Sequence, residues 1–256
     1  PDFRHALLRE AAYDQLLASE RRRIHKAAAV AAEERGANPT VVAHHAERAG
    51  LDDDALVAWL AGARAAAGLA RVDAPTAYRR AVELWDRVPD ADARTGTTRQ
   101  ALLREAADAS LAVGETDLGA GFAEQAFAAS DATDDPHGWA ELALTLSELR
   151  WEQGRMADAD ALLDEVAVLL DPSSPSAHLA WLHERRSFHA LVRGEGDEAL
   201  ELGRTAVELA IAAGDPGVEL YSLSGLGFAL AIHGDVPGGI EVLLDARDRS
   251  HDAGLV

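Results

Sequence analysis

The sequence has no cysteine, a single methionine, and one lysine (Lys26) among its 24 basic residues. The missing cysteine excludes disulfide scaffolds, thiolate zinc sites, iron–sulfur clusters and thiol nucleophiles. Aromatic residues make up only 5% of the chain. No apolar run approaches the roughly 18 residues of a membrane span. The chain opens on Pro1 rather than Met, and no signal peptide follows. It therefore reads as a piece of a larger soluble, cytoplasmic protein. What the chain does have, in a length of 256 residues, is alanine and leucine in excess, which favours helix over sheet.

Charge is unevenly spread. Residues 1–100 hold 15 basic and 15 acidic side chains, whereas residues 101–256 hold 9 basic and 29 acidic, so the whole net charge of −20 sits in the second part. Such a surface repels phosphate backbones, which argues against nucleic-acid binding by this segment. A solvated acidic face explains it, and a basic partner or cationic ligand is the alternative.

Apolar residues recur at helical spacing nearly everywhere, and no alternating strand pattern stands out. Helix stops fall at Gly36–Ala37–Asn38–Pro39, Val88–Pro89, Asp134–Asp135–Pro136, Asp171–Pro172 and Gly214–Asp215–Pro216–Gly217. Asp52–Asp53–Asp54 is expected to cap the helix holding Trp59. Frequent, regular punctuation calls for a repeat search. Gly114, Gly154, Gly194 and Gly234 are each 40 residues apart. Five residues after each stands Gly119, Ala159, Ala199 or Gly239; twelve after, Ala126, Val166, Ala206 or Ala246. Seven before stands Ala107, Ser147, Ser187 or Gly227. Small residues at matched places let two antiparallel helices approach closely. Leu111, Trp151, Leu191, Leu163 and Leu243 are expected to fill the space between them.

This pattern resembles the tetratricopeptide repeat, a helix–turn–helix unit of about 34 residues. The second helices, such as Met156–Ala157–Asp158–Ala159 and Gly196–Asp197–Glu198–Ala199–Leu200, fit it well. The longer pitch is absorbed by acidic, Pro-bearing connections. The resemblance implies an all-α fold, a right-handed superhelix of antiparallel helix pairs with a concave face. It covers residues 99–256 as four repeats and 58–98 loosely, where Ala65, Ala77, Leu84 and Pro89 fit a degenerate copy.

The N-terminal order is a second clue. It runs Phe3–Arg4–His5–Ala6–Leu7–Leu8–Arg9–Glu10–Ala11–Ala12–Tyr13, then Glu20–Arg21–Arg22–Arg23–Ile24–His25, Val41–Val42–Ala43–His44–His45–Ala46 and Ala77–Tyr78–Arg79–Arg80. It resembles the segment after the nucleotide-binding module in large bacterial signalling ATPases: STAND-type regulators of the LuxR kind and related cyclase-linked ATPases. By that resemblance, residues 1–36 are the remnant of a helical or winged-helix module. Residues 37–98 are a helical linker with one degenerate repeat, and residues 99–256 are a sensor array. No G-x-x-x-x-G-K-[ST] is present, so any ATPase module lies outside this segment.

Several motifs tempt. Gly194–Glu195–Gly196–Asp197–Glu198–Ala199 spells a dinucleotide fingerprint, but a helix pattern precedes it and it falls on the repeat turn. His183–Glu184 with His189 begins like a zinc motif, but the second His comes two residues late, and His178 is also misplaced. Of His44–His45, one is expected packed and one exposed. Ser222 and Ser224 form no nucleophile elbow, and the Asp52–Asp54 run lacks calcium-loop spacing. The reading is of a non-enzyme with no catalytic residue, cofactor or metal.

Carried over from the tetratricopeptide family, the positions that line the concave face give Arg104, Asp108 and Leu111 in the first repeat. The second gives Glu141, Leu144, Glu148, Trp151 and Glu152. The third gives Trp181, Glu184, Phe188 and Leu191, and the fourth Tyr221, Ser224, Phe228 and Ile232. Arg104, Glu148, Trp151, Trp181, Glu184, Phe188, Tyr221 and Phe228 are the candidate binding residues. Aromatics beside carboxylates suit a peptide or a cationic amphipathic ligand. The expected function is a sensor domain of an ATP-binding transcriptional regulator. It would bind a protein segment or small-molecule inducer and signal to the upstream ATPase, without touching nucleic acid or membrane. The alternative is a structural spacer or oligomerisation arm, self-associating through an apolar end face near Leu255–Val256.

Overall fold

The computed structural model describes residues 13–252 and 254. The Phe3–Ala12 part of the N-terminal resemblance and the Leu255–Val256 end face lie outside them. Among the described residues every regular element is a helix. The chain divides into two compact units, Pro1–Ala126 and Phe127–Val256.

The first unit holds α1 (Ala18–Glu34), α2 (Pro39–Ala49), α3 (Asp52–Ala67), α4 (Ala74–Trp85), the short α5 (Ala91–Thr95), α6 (Arg99–Leu111) and most of α7 (Thr116–Ala128). Neighbours pack in order, α1 on α2, α2 on α3, α3 on α4 and α4 on α6. Asn38 caps α2 by accepting from the Thr40 amide, with Pro39 at the first position where no amide hydrogen is needed. The three aspartates behave differently from expectation: α3 starts at Asp52 itself, and Leu51 offers no side-chain cap. The carboxylates sit instead in the first turn, where the helix dipole favours them. Asp52 and Asp53 also reach Arg87 and Arg94 at 2.6 and 2.7 Å.

The second unit holds α8 (Pro136–Glu152), α9 (Met156–Leu169), α10 (Ala177–Arg193), α11 (Gly196–Ala213), α12 (Pro216–His233) and α13 (Val236–Asp252). They form three hairpins, α8 on α9, α10 on α11 and α12 on α13, and the first helices α8, α10 and α12 are successive neighbours. Each first helix starts on a side-chain cap: Asp135 to Gly138, Ser176 to Leu179 and Asp215 to Val218.

The 40-residue period is a backbone joint. Gly114, Gly154, Gly194 and Gly234 all adopt positive φ, between 75° and 114°. The next amide closes a six-residue ring each time: Glu115 to Ser110, Arg155 to Arg150, Glu195 to Ala190 and Asp235 to Leu230, all at 2.8–2.9 Å. This is the Schellman closure that glycine makes cheap. The small residues then lie where the helices touch. Ala107, Ser147, Ala126, Val166, Ala159, Ala199 and Ala206 are fully buried. A Cβ on Gly239 would stand 2.5 Å from the Gly227 carbonyl oxygen, so that pair must stay small. Leu163 is buried as expected, Leu243 is only half-buried, and so are Leu111, Trp151 and Leu191. Of these, Trp151 lines a cavity on the first helices of the second unit.

Candidate functional site

The site lies on the first helices of the second unit. One helical turn separates Glu148 from Trp151 and Glu152 on α8, and another separates Glu184 from Phe188 on α10. With Arg185 and His189 of α10 and Tyr221 of α12, these residues line a cavity of about 170 Å³. Five of the eight candidate residues therefore meet in one place: Glu148, Trp151, Glu184, Phe188 and Tyr221. Trp181 lies beside it, with its ring 4.6 Å from Tyr221. Phe228 is further along α12 and exposed, and Arg104 belongs to α6 in the first unit. Leu144 is buried and is not one of the residues that line the cavity.

Arg185, which the sequence reading did not single out, organises the cavity. Its guanidinium donates to Glu148 Oε2 at 2.5 Å and lies 5.1 and 5.6 Å from the Trp181 and Tyr221 ring centres. Its Nη1 is 3.5 Å from Glu184 Oε2, close enough for ion pairing but without a hydrogen bond. The two glutamates hold the Arg185 charge firmly in place against the cost of burial. Its equivalents in the other repeats are Glu105, Thr145 and Gly225, so Arg185 is the basic residue of that set.

Glu184 is 6% exposed, and its Oε2 has no hydrogen-bond partner. Burial, reinforced by Glu148 and opposed by Arg185, pushes its carboxyl up to about 7. Burial also raises Glu148, against the pull of Arg185. His189 is fixed by Asp160, Nδ1 to Oδ1 at 2.7 Å, and stacks on the Trp151 indole at 3.6 Å. Burial lowers its pKa, against the opposing pull of the Asp160 carboxylate.

Among the described residues His25, His44, His45 and His178 lie against other imidazole rings. His25 is buried, with Nδ1 at 2.9 Å from His45 Nδ1 and Nε2 at 2.9 Å from the Tyr13 hydroxyl. His44 is exposed and His45 half-buried. His178 lies beside His137, ring centres 5.5 Å apart. Among the described residues no group of three or more histidine or acidic side chains is placed to hold a metal ion. Gly194 and Gly196 form the α10–α11 joint, with a helix before it. No helix among the described residues is long and apolar enough to cross a membrane.

Beyond the cavity, α10 and α12 carry Phe188, Val192, Tyr221, Phe228 and Ile232, each between 37% and 58% exposed. Phe188 and Phe228 occupy equivalent repeat positions, as do Val192 and Ile232. On α8 these two positions are Glu148 and Glu152. The face thus changes from acidic to apolar across three neighbouring helices.

No family model matches the sequence, and no curated protein matches it. Among solved structures the chain is similar to BtubC (BKLC) from P. vanneervenii, with TM-score 0.53 and 14% identity over 94% of this chain and 93% of that one. It is also similar to aspartyl phosphate phosphatase F from Bacillus subtilis, with TM-score 0.59 and 13% identity over 85% of this chain. The match spans 55% of the phosphatase structure. A kinesin light chain structure of nearly identical TPR-like repeats from Podosopora anserina aligns at TM-score 0.46 and 21% identity, over 75% and 96% of the two chains. The likeness is one of fold: among the described residues the chain is an all-helical array of tetratricopeptide-like helix pairs.

Proposed function

We propose that the second unit is a protein-interaction module that binds a segment of a partner across α8, α10 and α12, and that it catalyses no reaction. The carrying observation is the exposure of Phe188, Val192, Tyr221, Phe228 and Ile232 on two adjacent helices. Large apolar side chains grouped on a surface mark an interaction site. A protein segment fits better than a small inducer, because the adjoining cavity of about 170 Å³ falls short of the roughly 300 Å³ of small-molecule sites. A cavity of this size takes a single side chain.

The wider setting we propose is the sensor region of a large ATP-binding transcriptional regulator in the cytoplasm, with an upstream ATPase module as the receiver of the binding signal. The N-terminal resemblance through Tyr13, His25 and the Val41–Ala46 stretch supports it.

The test is selection of 12-residue peptides on phage against the whole chain, followed by titration read by tryptophan fluorescence. Selected peptides should lose at least tenfold in affinity for the Phe188→Ala, Phe228→Ala double variant, whose far-ultraviolet circular dichroism stays unchanged. Recovery of no binder, or of binders indifferent to both substitutions, would sink the proposal.

A further inference from the structure

Glu184 raises a question of satisfaction. A carboxylate oxygen buried without a donor is costly, and native structures rarely tolerate it unless something else supplies the donor. Arg185 does not supply it. Its Nη2 is engaged by Glu148 at 2.5 Å, and its Nη1 stays 3.5 Å from Glu184 Oε2. Gly225, opposite, has no side chain, and a Cβ there would come 3.1 Å from Glu184 Oε1. The wall of the cavity therefore has acceptor capacity to spare.

Charge points the same way. Three glutamates, Glu148, Glu152 and Glu184, share the cavity with one arginine. The surplus is negative, in the part of the chain that carries the whole net charge of −20. The rings add a third indication. Trp151 and Phe188 meet edge to face with centres 6.0 Å apart at the cavity. Aromatic faces beside carboxylates hold cations, and the Arg185 guanidinium against Trp181 and Tyr221 shows that chemistry already at work here.

We infer that this cavity receives the cationic head of one arginine or lysine from an amphipathic partner segment, whose apolar residues rest on Phe188, Val192, Phe228 and Ile232. The inference rests on the segment-binding reading above and adds the chemistry of its anchor. The head donates N–H to Glu184 Oε2 and balances Glu152 at the rim. The stem lies against the Trp151 and Phe188 rings at the cavity wall. The acidic α8 end and the apolar α12 end of the face give the segment a direction, with its basic residue at α8 and its apolar residues towards α12.

The experiment uses the whole chain and the phage-selected peptides. Selected sequences should carry a basic residue flanked by apolar ones. Replacing arginine by the neutral isostere citrulline, or lysine by norleucine, should weaken binding to the native chain at least tenfold. On the Glu152→Gln, Glu184→Gln double variant the same replacement should change affinity less than twofold. Glu152→Gln alone, at an exposed rim position, should show a partial loss and guards against misfolding of the double variant. Three results would overturn the inference: peptides without a basic residue, native affinity for the basic peptide in both glutamine variants, or free arginine amide or spermidine binding as tightly as the peptide. In the first two, sensitivity to Phe188→Ala and Phe228→Ala would leave the interaction module standing. Failure to select any peptide would remove both.

Discussion

Two glutamates, one in each unit, stand beside an arginine and a tyrosine and meet opposite fates. In the first unit Glu105 accepts two hydrogen bonds from Arg64, both at 2.8 Å, and a third from the Tyr78 hydroxyl at 3.1 Å. Burial would raise its pKa, but the Arg64 fork and Tyr78 outweigh it, and the carboxyl is held below its ordinary range. In the second unit Glu184 has Arg185 at ion-pair distance and Tyr221 on the same cavity wall, yet Oε2 has no hydrogen bond and the carboxyl rises to about 7. The residue types are nearly the same. What separates a structural ion pair from a site is whether the acceptor capacity is used up inside the protein.

The sharpest way to break this comparison is to remove each arginine. Arg185→Ala leaves Glu148 and Glu184 buried without a counter-charge, and should destabilise the second unit by about 3–5 kcal/mol in urea denaturation. Arg64→Ala, at a position 44% exposed, should cost about 1 kcal/mol or less. Similar losses would mean that the two pairs are equivalent after all. The helix contacts differ in the same way. Gly239→Ala drives a methyl into the Gly227 carbonyl and should cost about 3 kcal/mol. Gly121→Ala on α7 meets nothing within 4 Å and should stabilise by about 0.5 kcal/mol.

Acidity offers a third contrast. The Glu184 pKa lies above its ordinary 4.5, so the folded chain binds more protons than the unfolded chain between about 4.5 and 7. The contribution of this group is favourable in acid and is lost as pH rises through about 7. The charges around it are Glu148, Glu152 and Arg185, with His189 and Tyr221 as the other titratable neighbours. Glu184→Gln should therefore stabilise by about 2 kcal/mol at pH 8 and by almost nothing at pH 4, measured as the difference in denaturation midpoints. The histidine cluster of the first unit has the opposite sign. Burial, with His45, Arg48 and His44, lowers His25; burial and Arg48 lower His44. Stability there is fully present above pH 6.5 and falls as the pH drops below it. Solvent screening at exposed His44 keeps the expected loss small. Proton NMR titration of the imidazole rings would check the direction for each residue.

Much of this architecture is readable before any coordinates. Glycine at a constant pitch can be recognised because only a positive-φ joint explains it, and small residues at fixed offsets from that joint mark the helix contacts. Glu148, Trp151, Glu184, Phe188 and Tyr221 follow from the same register, since equivalent positions on successive helices share a face. Arg185 does not follow. In the run His183–Glu184–Arg185–Arg186 it looks like one more solvated charge, and its meaning depends on Glu148 reaching across from the preceding hairpin. The aspartates at Asp52–Asp54 misled for a related reason: capping and first-turn placement favour the same residue types one position apart.

The recurring closure at Gly154, Gly194 and Gly234 has a consequence at the level of genes. Equivalent points in successive joints share backbone geometry, so a crossover that adds or removes one 40-residue block joins a familiar end to a familiar beginning. The array can then be lengthened or shortened in whole steps without inventing a new turn. A block copied with an acidic α8-type first helix would bring another carboxylate rim, and one copied from α12 another apolar tread. Recognition in such a protein can be edited by recombination before any point mutation is needed.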